Sequence, residues 1–162
     1  MVGERMKRLP PAVSQRYSDF WTGLLPPSNR QTGFSLRGPT RRSFVEFDRI
    51  GFRFSYHLAY DTPDATVEFA IRRSDGEQIY NGLVGQCQHM DAAFGGPLRW
   101  LHDARRPHDQ WPYPALRWTV PCPPLRDLDR SQWPAIQAQL IDAMVRLERA
   151  VVPHLQEWLV DD

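Results

Sequence analysis

A chain of 162 residues is the size of one ordinary domain, long enough to bury a core without disulfides or a metal. Hydrophobic content of 41% and charged content of 24% argue against a wholly disordered chain, and a 12% aromatic share puts much of the expected burial in Phe, Trp and Tyr. A net charge of +1 argues against coating nucleic acid by charge alone, while leaving room for a local basic patch.

From Pro11 the pattern is helical: Val13, Tyr17, Phe20, Trp21, Leu24 and Leu25 recur at spacings of three and four, and Pro26-Pro27 is expected to stop the helix. Residues 1–10 read as a flexible basic leader. The stretch 28–42 reads as a loop carrying Arg30, Arg37, Arg41 and Arg42. Three alternating strands are expected at 43–48, 51–60 and 65–72, joined by connections short enough for antiparallel neighbours. Arg53, Ser55, His57, Glu68, Ala70 and Arg72 fall on their second face, which is polar and is expected either to meet water or to recognise a ligand.

Ser74, with Glu77 three residues later, predicts a capping box opening a second helix that runs to Phe94 and ends at Gly95-Gly96-Pro97. Short strands are expected at 98–101 and 115–120, separated by a proline-punctuated loop. Asp129 or Ser131 can cap a last, long helix with Pro134 in its first turn. There Ile136, Leu140, Met144, Leu147, Val151 and Leu155 form a heptad-like seam, usable against the sheet or against another helix, and Pro153 should interrupt the helix near its end. The result is a single α+β domain over 11–162, ordered α-β-β-β-α-β-β-α, with a mainly antiparallel sheet packed against helices. The two cysteines, Cys87 and Cys122, suit a reduced cytoplasm, where Cys packs as a small apolar residue. With no apolar stretch near the roughly 20 residues needed to cross a bilayer, a cytoplasmic protein without a membrane partner is expected.

Four runs carry a resemblance: Phe20-Trp21-Thr22-Gly23-Leu24-Leu25, Val67-Glu68-Phe69-Ala70-Ile71, Phe94-Gly95-Gly96-Pro97-Leu98-Arg99-Trp100 and Leu140-Ile141-Asp142-Ala143-Met144-Val145-Arg146-Leu147-Glu148. In order and spacing they resemble a bacterial domain family of unknown function, over roughly residues 17 to 156. Arg105-Arg106, Trp133 and Pro153-His154-Leu155 match further points of its pattern, while Gln86, Gln88 and His89 stand where relatives tend to carry lysine. The resemblance implies a domain usually found C-terminal to a PD-(D/E)XK nuclease-like domain. Here the domain is expected to stand alone, so that any nuclease would be a separate partner.

Nuclease chemistry of that type needs acids holding a divalent cation and a lysine beside the second of them. Lys7 is the only lysine and lies in the leader; Asp48 and Glu68 have no lysine two residues on. Gly-rich phosphate loops, nucleophile elbows and Ser/His/Asp patterns are absent, and neither cofactor nor metal is expected. His102-Asp103 with His108-Asp109 reads better as polar loop residues than as a metal site. His57 with Glu68 reads better as a stabilising cross-strand pair than as a catalytic one.

Two binding readings follow. In the first, the domain is a non-catalytic accessory module for a nucleic-acid-processing enzyme, in bacterial defence or mobile-element biology, and Ile136, Leu140, Met144, Leu147, Val151 and Leu155 meet that partner or a second copy. In the second, Arg37, Arg41, Arg42, Arg53, Arg72, Arg73, Arg105 and Arg106 contact DNA or RNA directly, with Trp111 and Tyr113 available to stack on unpaired bases. An unrecognised hydrolase centred on the histidine-bearing regions is the third reading.

Overall fold

The computed structural model describes residues 8–106 and 109–159. Residues 1–7 of the expected leader, Lys7 among them, lie outside that range, as does His108. The chain opens with helix α1 (Pro11–Gln31), which runs through Pro26 and Pro27 instead of stopping there. The carbonyls that the two prolines leave without donors belong to Thr22 and Gly23, both exposed, so water can satisfy them. Beyond the prolines, distant partners hold the last turn. The Ser28 and Tyr56 hydroxyls share a buried 2.8 Å hydrogen bond, and the Asn29 side chain pairs with both backbone groups of Leu36. Contacts beyond the helix thus override a local stop signal, and Arg30 belongs to the helix, not to a loop.

Strands β1 (Phe44–Arg49), β2 (Phe52–Leu58), β3 (Ala65–Ile71), β4 (Arg99–Ala104) and β5 (Tyr113–Val120) form one five-stranded sheet in the order β1-β2-β3-β5-β4, every neighbour antiparallel. Between β1 and β2 the chain reverses on Ile50 and Gly51, with φ of 48° and 86°, positive at both positions as tight hairpins prefer. A β-branched residue pays most for positive φ, and Ile50 is 41% exposed, so little packing compensates it. Ile50→Asn is therefore expected to stabilise the domain by about 1 kcal/mol, seen as a rise of a few degrees in thermal melting.

Helix α2 (Gly76–Val84) starts at Asp75, with no side-chain cap bond, so the expected Ser74–Glu77 capping box does not form. The single helix expected as far as Phe94 is broken at Gly85-Gln86, and α3 (Cys87–Phe94) follows. Gly82 and Gly85 within one turn weaken the helix, and the break lets α2 lie against the sheet while α3 packs on the last long helix. Gly95 closes α3 in the left-handed conformation, as its position predicted. Cys87 and Cys122 are both unbridged.

Asp129 and Gln132 form a reciprocal capping box on a short turn that leads into α4 (Trp133–Val151), followed by a turn at Val152–His154 and α5 (Gln156–Leu159). Pro153 does end the long helix. The seam on α4 requires a correction as a partner surface: Ile136, Leu140, Met144, Leu147, Val151 and Leu155 are all buried, none more than 8% exposed. They pack with Tyr17, Phe20, Trp21 and Leu24 of α1 and with the apolar sheet face formed by Val45, Tyr56, Val67 and Phe69. A helix this apolar along one stripe is drawn to the largest apolar surface in reach, and here that surface belongs to its own chain. Gly23 permits the close approach of α1 and α4: a Cβ there would stand 2.6 Å from Nε2 of Gln137, which donates to the Phe20 carbonyl at 2.8 Å. No helix among the described residues is long and apolar enough to cross a membrane.

Candidate functional site

The helices cover one face of the sheet. Strand register places two polar rows on the other. Phe44, His57, Thr66 and Thr119 line up across β1, β2, β3 and β5; Glu46, Ser55, Glu68, Arg117 and Arg99 form the next row and extend to β4. This is the polar face expected from the alternation, yet its centre is not wet: Ser55 is fully buried and Glu68 is 1% exposed.

Burial comes from Arg106, just past β4, which reaches back over the sheet. Its Nη2 donates to Glu68 Oε1 at 3.1 Å and to Ser55 Oγ at 3.2 Å, and also to His57 Nε2. Arg117 donates through Nε to Glu68 Oε2, and the Tyr113 hydroxyl donates to Oε1 at 3.3 Å. One buried carboxylate therefore holds two guanidiniums and a phenol. Burial opposes the charge on Arg117, but the neighbouring Glu68 carboxylate outweighs it and raises the guanidinium pKa. Burial, with the Glu68 charge adding to it, likewise raises the Tyr113 pKa, so the hydroxyl keeps its proton and remains a donor. Asp109 ties Arg106 to Arg72: its carboxylate accepts the Arg106 amide at 3.0 Å and pairs with Arg72 at 3.3 Å.

A cleft of about 290 Å³ opens beside this cluster, lined by Phe44, His57, Thr66 and Glu68 from the sheet and by Arg105, Arg106 and Arg117. The Arg106 guanidinium lies 5.2 Å from the Phe44 ring centre and that of Arg42 lies 6.0 Å from it. The backbone carbonyl of Arg42 is held at 2.8 Å by the indole of Trp21, so α1 sets where that arginine enters β1.

The arginines expected to bind nucleic acid thus divide. Arg42, Arg105 and Arg106 come together around Phe44 and the cleft. Arg37 and Arg41 are exposed on the connection before β1 and make no ion pair with a described residue. Arg53 pairs with Glu46 and Asp48, at 3.4 and 3.6 Å. Arg72 lies over the Tyr113 ring besides pairing with Asp109, and Arg73 pairs with Asp75 and lies over Phe52. These last three have roles inside the fold. Arg117 escaped the sequence reading, although a lone arginine in an apolar strand, opposite a lone glutamate in another, is the signal that could have found it. Tyr113 is buried beneath Arg72 and offers no stacking face, whereas Trp111 is 72% exposed.

His57 and Glu68 do not face each other across the strands; Arg106 bridges them. Because a guanidinium only donates, His57 Nε2 accepts and the imidazole proton sits on Nδ1. Ser55 lies 2.9 Å from the same nitrogen, but a fully buried hydroxyl beside an occupied lone pair is not built to attack a substrate. His102 bonds Asp103 at 3.0 Å and lies 3.5 Å from Glu77, all three well exposed, and its pKa is raised first by the hydrogen bond that the imidazole donates to the Asp103 carboxylate. Among the described residues no group of three or more His, Cys, Asp or Glu side chains is placed to hold a metal ion.

Fold and cleft together define a two-layer α+β domain with helices on one sheet face and a buried ionic cluster under the other. The chain belongs to the family described as Domain of unknown function (DUF4268), whose model matches residues 16–155. No curated protein and no solved structure matches it.

Proposed function

We propose that this domain is a non-catalytic accessory module of a nucleic-acid-processing enzyme, and that it contacts the nucleic-acid backbone itself through the cleft on its open sheet face. The carrying observation is the convergence of Arg105, Arg106 and Arg117 on that cleft, with Arg42 alongside, in a chain whose net charge is only +1. Guanidinium forks match phosphate oxygens, and clustering them locally gives affinity that overall charge does not. Association with a nuclease, in bacterial defence or mobile-element biology, rests on the family resemblance, which implies a PD-(D/E)XK neighbour. With the α4 seam in the core, the enzyme would be met through the exposed surface or through shared nucleic acid.

The test is fluorescence anisotropy of labelled DNA and RNA against the full chain over a salt series. Affinity should fall linearly on a log–log plot, by an amount set by the number of phosphates neutralised. Arg105→Ala is the informative variant, because its one hydrogen bond within the described fold runs from Nε to the Asp109 carbonyl, at 3.2 Å. It should weaken binding to all sequences alike and lower the salt slope by about one. Absence of binding at low salt would overturn the reading. Affinity purification of the tagged chain from its native cell, expected to recover a nuclease or helicase, tests the partnership.

A further inference from the structure

We infer that the site is built for an unpaired nucleic-acid strand and not for a duplex, with the cleft holding one phosphodiester and Trp111 stacking on a neighbouring base. This rests on the proposed backbone contact and names the ligand class. Residues between β4 and β5 line two hollows: Arg105 and Arg106 belong to the cleft, and Trp111 and Pro112 to a second hollow of about 520 Å³. Among the described residues Trp111 is the most exposed of the large apolar side chains, at 72%, so the fold gains little from keeping an indole there. An indole left in water two residues from Asp109, whose carbonyl accepts from Arg105 Nε at 3.2 Å, brings together the two chemistries that bind single strands: a charged groove for the backbone and a π-face for the bases.

Charge and size agree. The lining of the cleft sets the guanidiniums of Arg105, Arg106 and Arg117 against the carboxylates of Asp64 and Glu68, which leaves one positive charge, the complement of a single phosphodiester. Its volume of about 290 Å³ lies just below the range of small-ligand pockets, roughly 300–1,000 Å³, room for one phosphodiester unit and far too little for a double helix. Bases in a duplex are stacked on one another and present only edges in the grooves, so a lone indole finds a π-face only on an unpaired strand.

The experiment compares a labelled oligothymidylate and oligouridylate with a duplex of matched length, using the full chain and the variants Trp111→Ala, Trp111→Phe and Arg105→Ala. The single strands should bind more tightly than the duplex. Trp111→Ala should weaken single-strand binding by roughly tenfold and leave duplex binding unchanged, and Trp111→Phe should retain most of the affinity. Arg105→Ala should weaken binding to every probe. Trp111→Ala sits on the surface and should melt at the wild-type temperature, so a lost affinity is not a lost fold. A duplex bound as tightly as the single strands, or a Trp111→Ala variant indistinguishable from wild type, overturns the inference while leaving the backbone contact standing. Failure of every probe to bind overturns both.

Discussion

Glu68→Gln should destabilise the domain by about 3–5 kcal/mol, because it leaves the Arg106 and Arg117 guanidiniums clustered without their shared counter-charge. For a chain of this length the loss corresponds to a fall of roughly 10 °C in melting temperature. Glu68 is 1% exposed and the side chain of Arg106 only 10%, so solvent screens the removed charge weakly. Most of the cost comes from the charges left behind. Replacing Glu68, Arg106 and Arg117 together by apolar residues of similar volume should therefore recover much of the stability. Urea unfolding of the single and triple variants separates the two contributions. A single variant with the wild-type midpoint would mean the cluster does not hold the β4–β5 connection to the sheet.

Leu140→Ala and Leu147→Ala should each cost about 3 kcal/mol, the usual penalty for opening a cavity in a close-packed core. Both side chains are fully buried between α1 and the sheet. A seam reserved for a partner would behave differently, since its truncation would leave the isolated chain as stable as before. Denaturant midpoints of the two variants decide between these, and a shift of less than about 1 kcal/mol in both would return α4 to the surface.

The runs that carry the family resemblance explain why the architecture was legible and the site was not. Trp21, Leu24, Val67, Phe69, Phe94, Leu140 and Met144 are core, or hold core elements together. Trp100 donates to Asp91 at 3.0 Å, and the guanidiniums of Arg16 and Arg130 lie 5.1 and 4.6 Å from the Trp133 ring centre. Such residues repeat at helical or strand spacing because burial imposes a period. Charge partners obey no period. Glu68 stands inside one of those runs, between Val67 and Phe69, yet its partners Arg106 and Arg117 are far along the chain and reach it only once β5 pairs with β3.

The α+β class, the broad order of elements, the antiparallel sheet, the stop at Gly95 and the break at Pro153 follow from local chemistry, and the sequence alone determined them; it left Asp129 and Ser131 both open as the cap, and the structure uses Asp129. Three things needed the tertiary structure. Helix α1 survives two prolines because Ser28 and Asn29 find partners beyond it. The seam of α4 faces inward because the apolar sheet face was the surface nearest to it. Arg105, Arg106 and Arg117 meet at one cleft because Arg106 reaches back from the end of β4 to Glu68 on β3, beside Arg117 on β5, a contact between distant segments that short-range pattern does not encode.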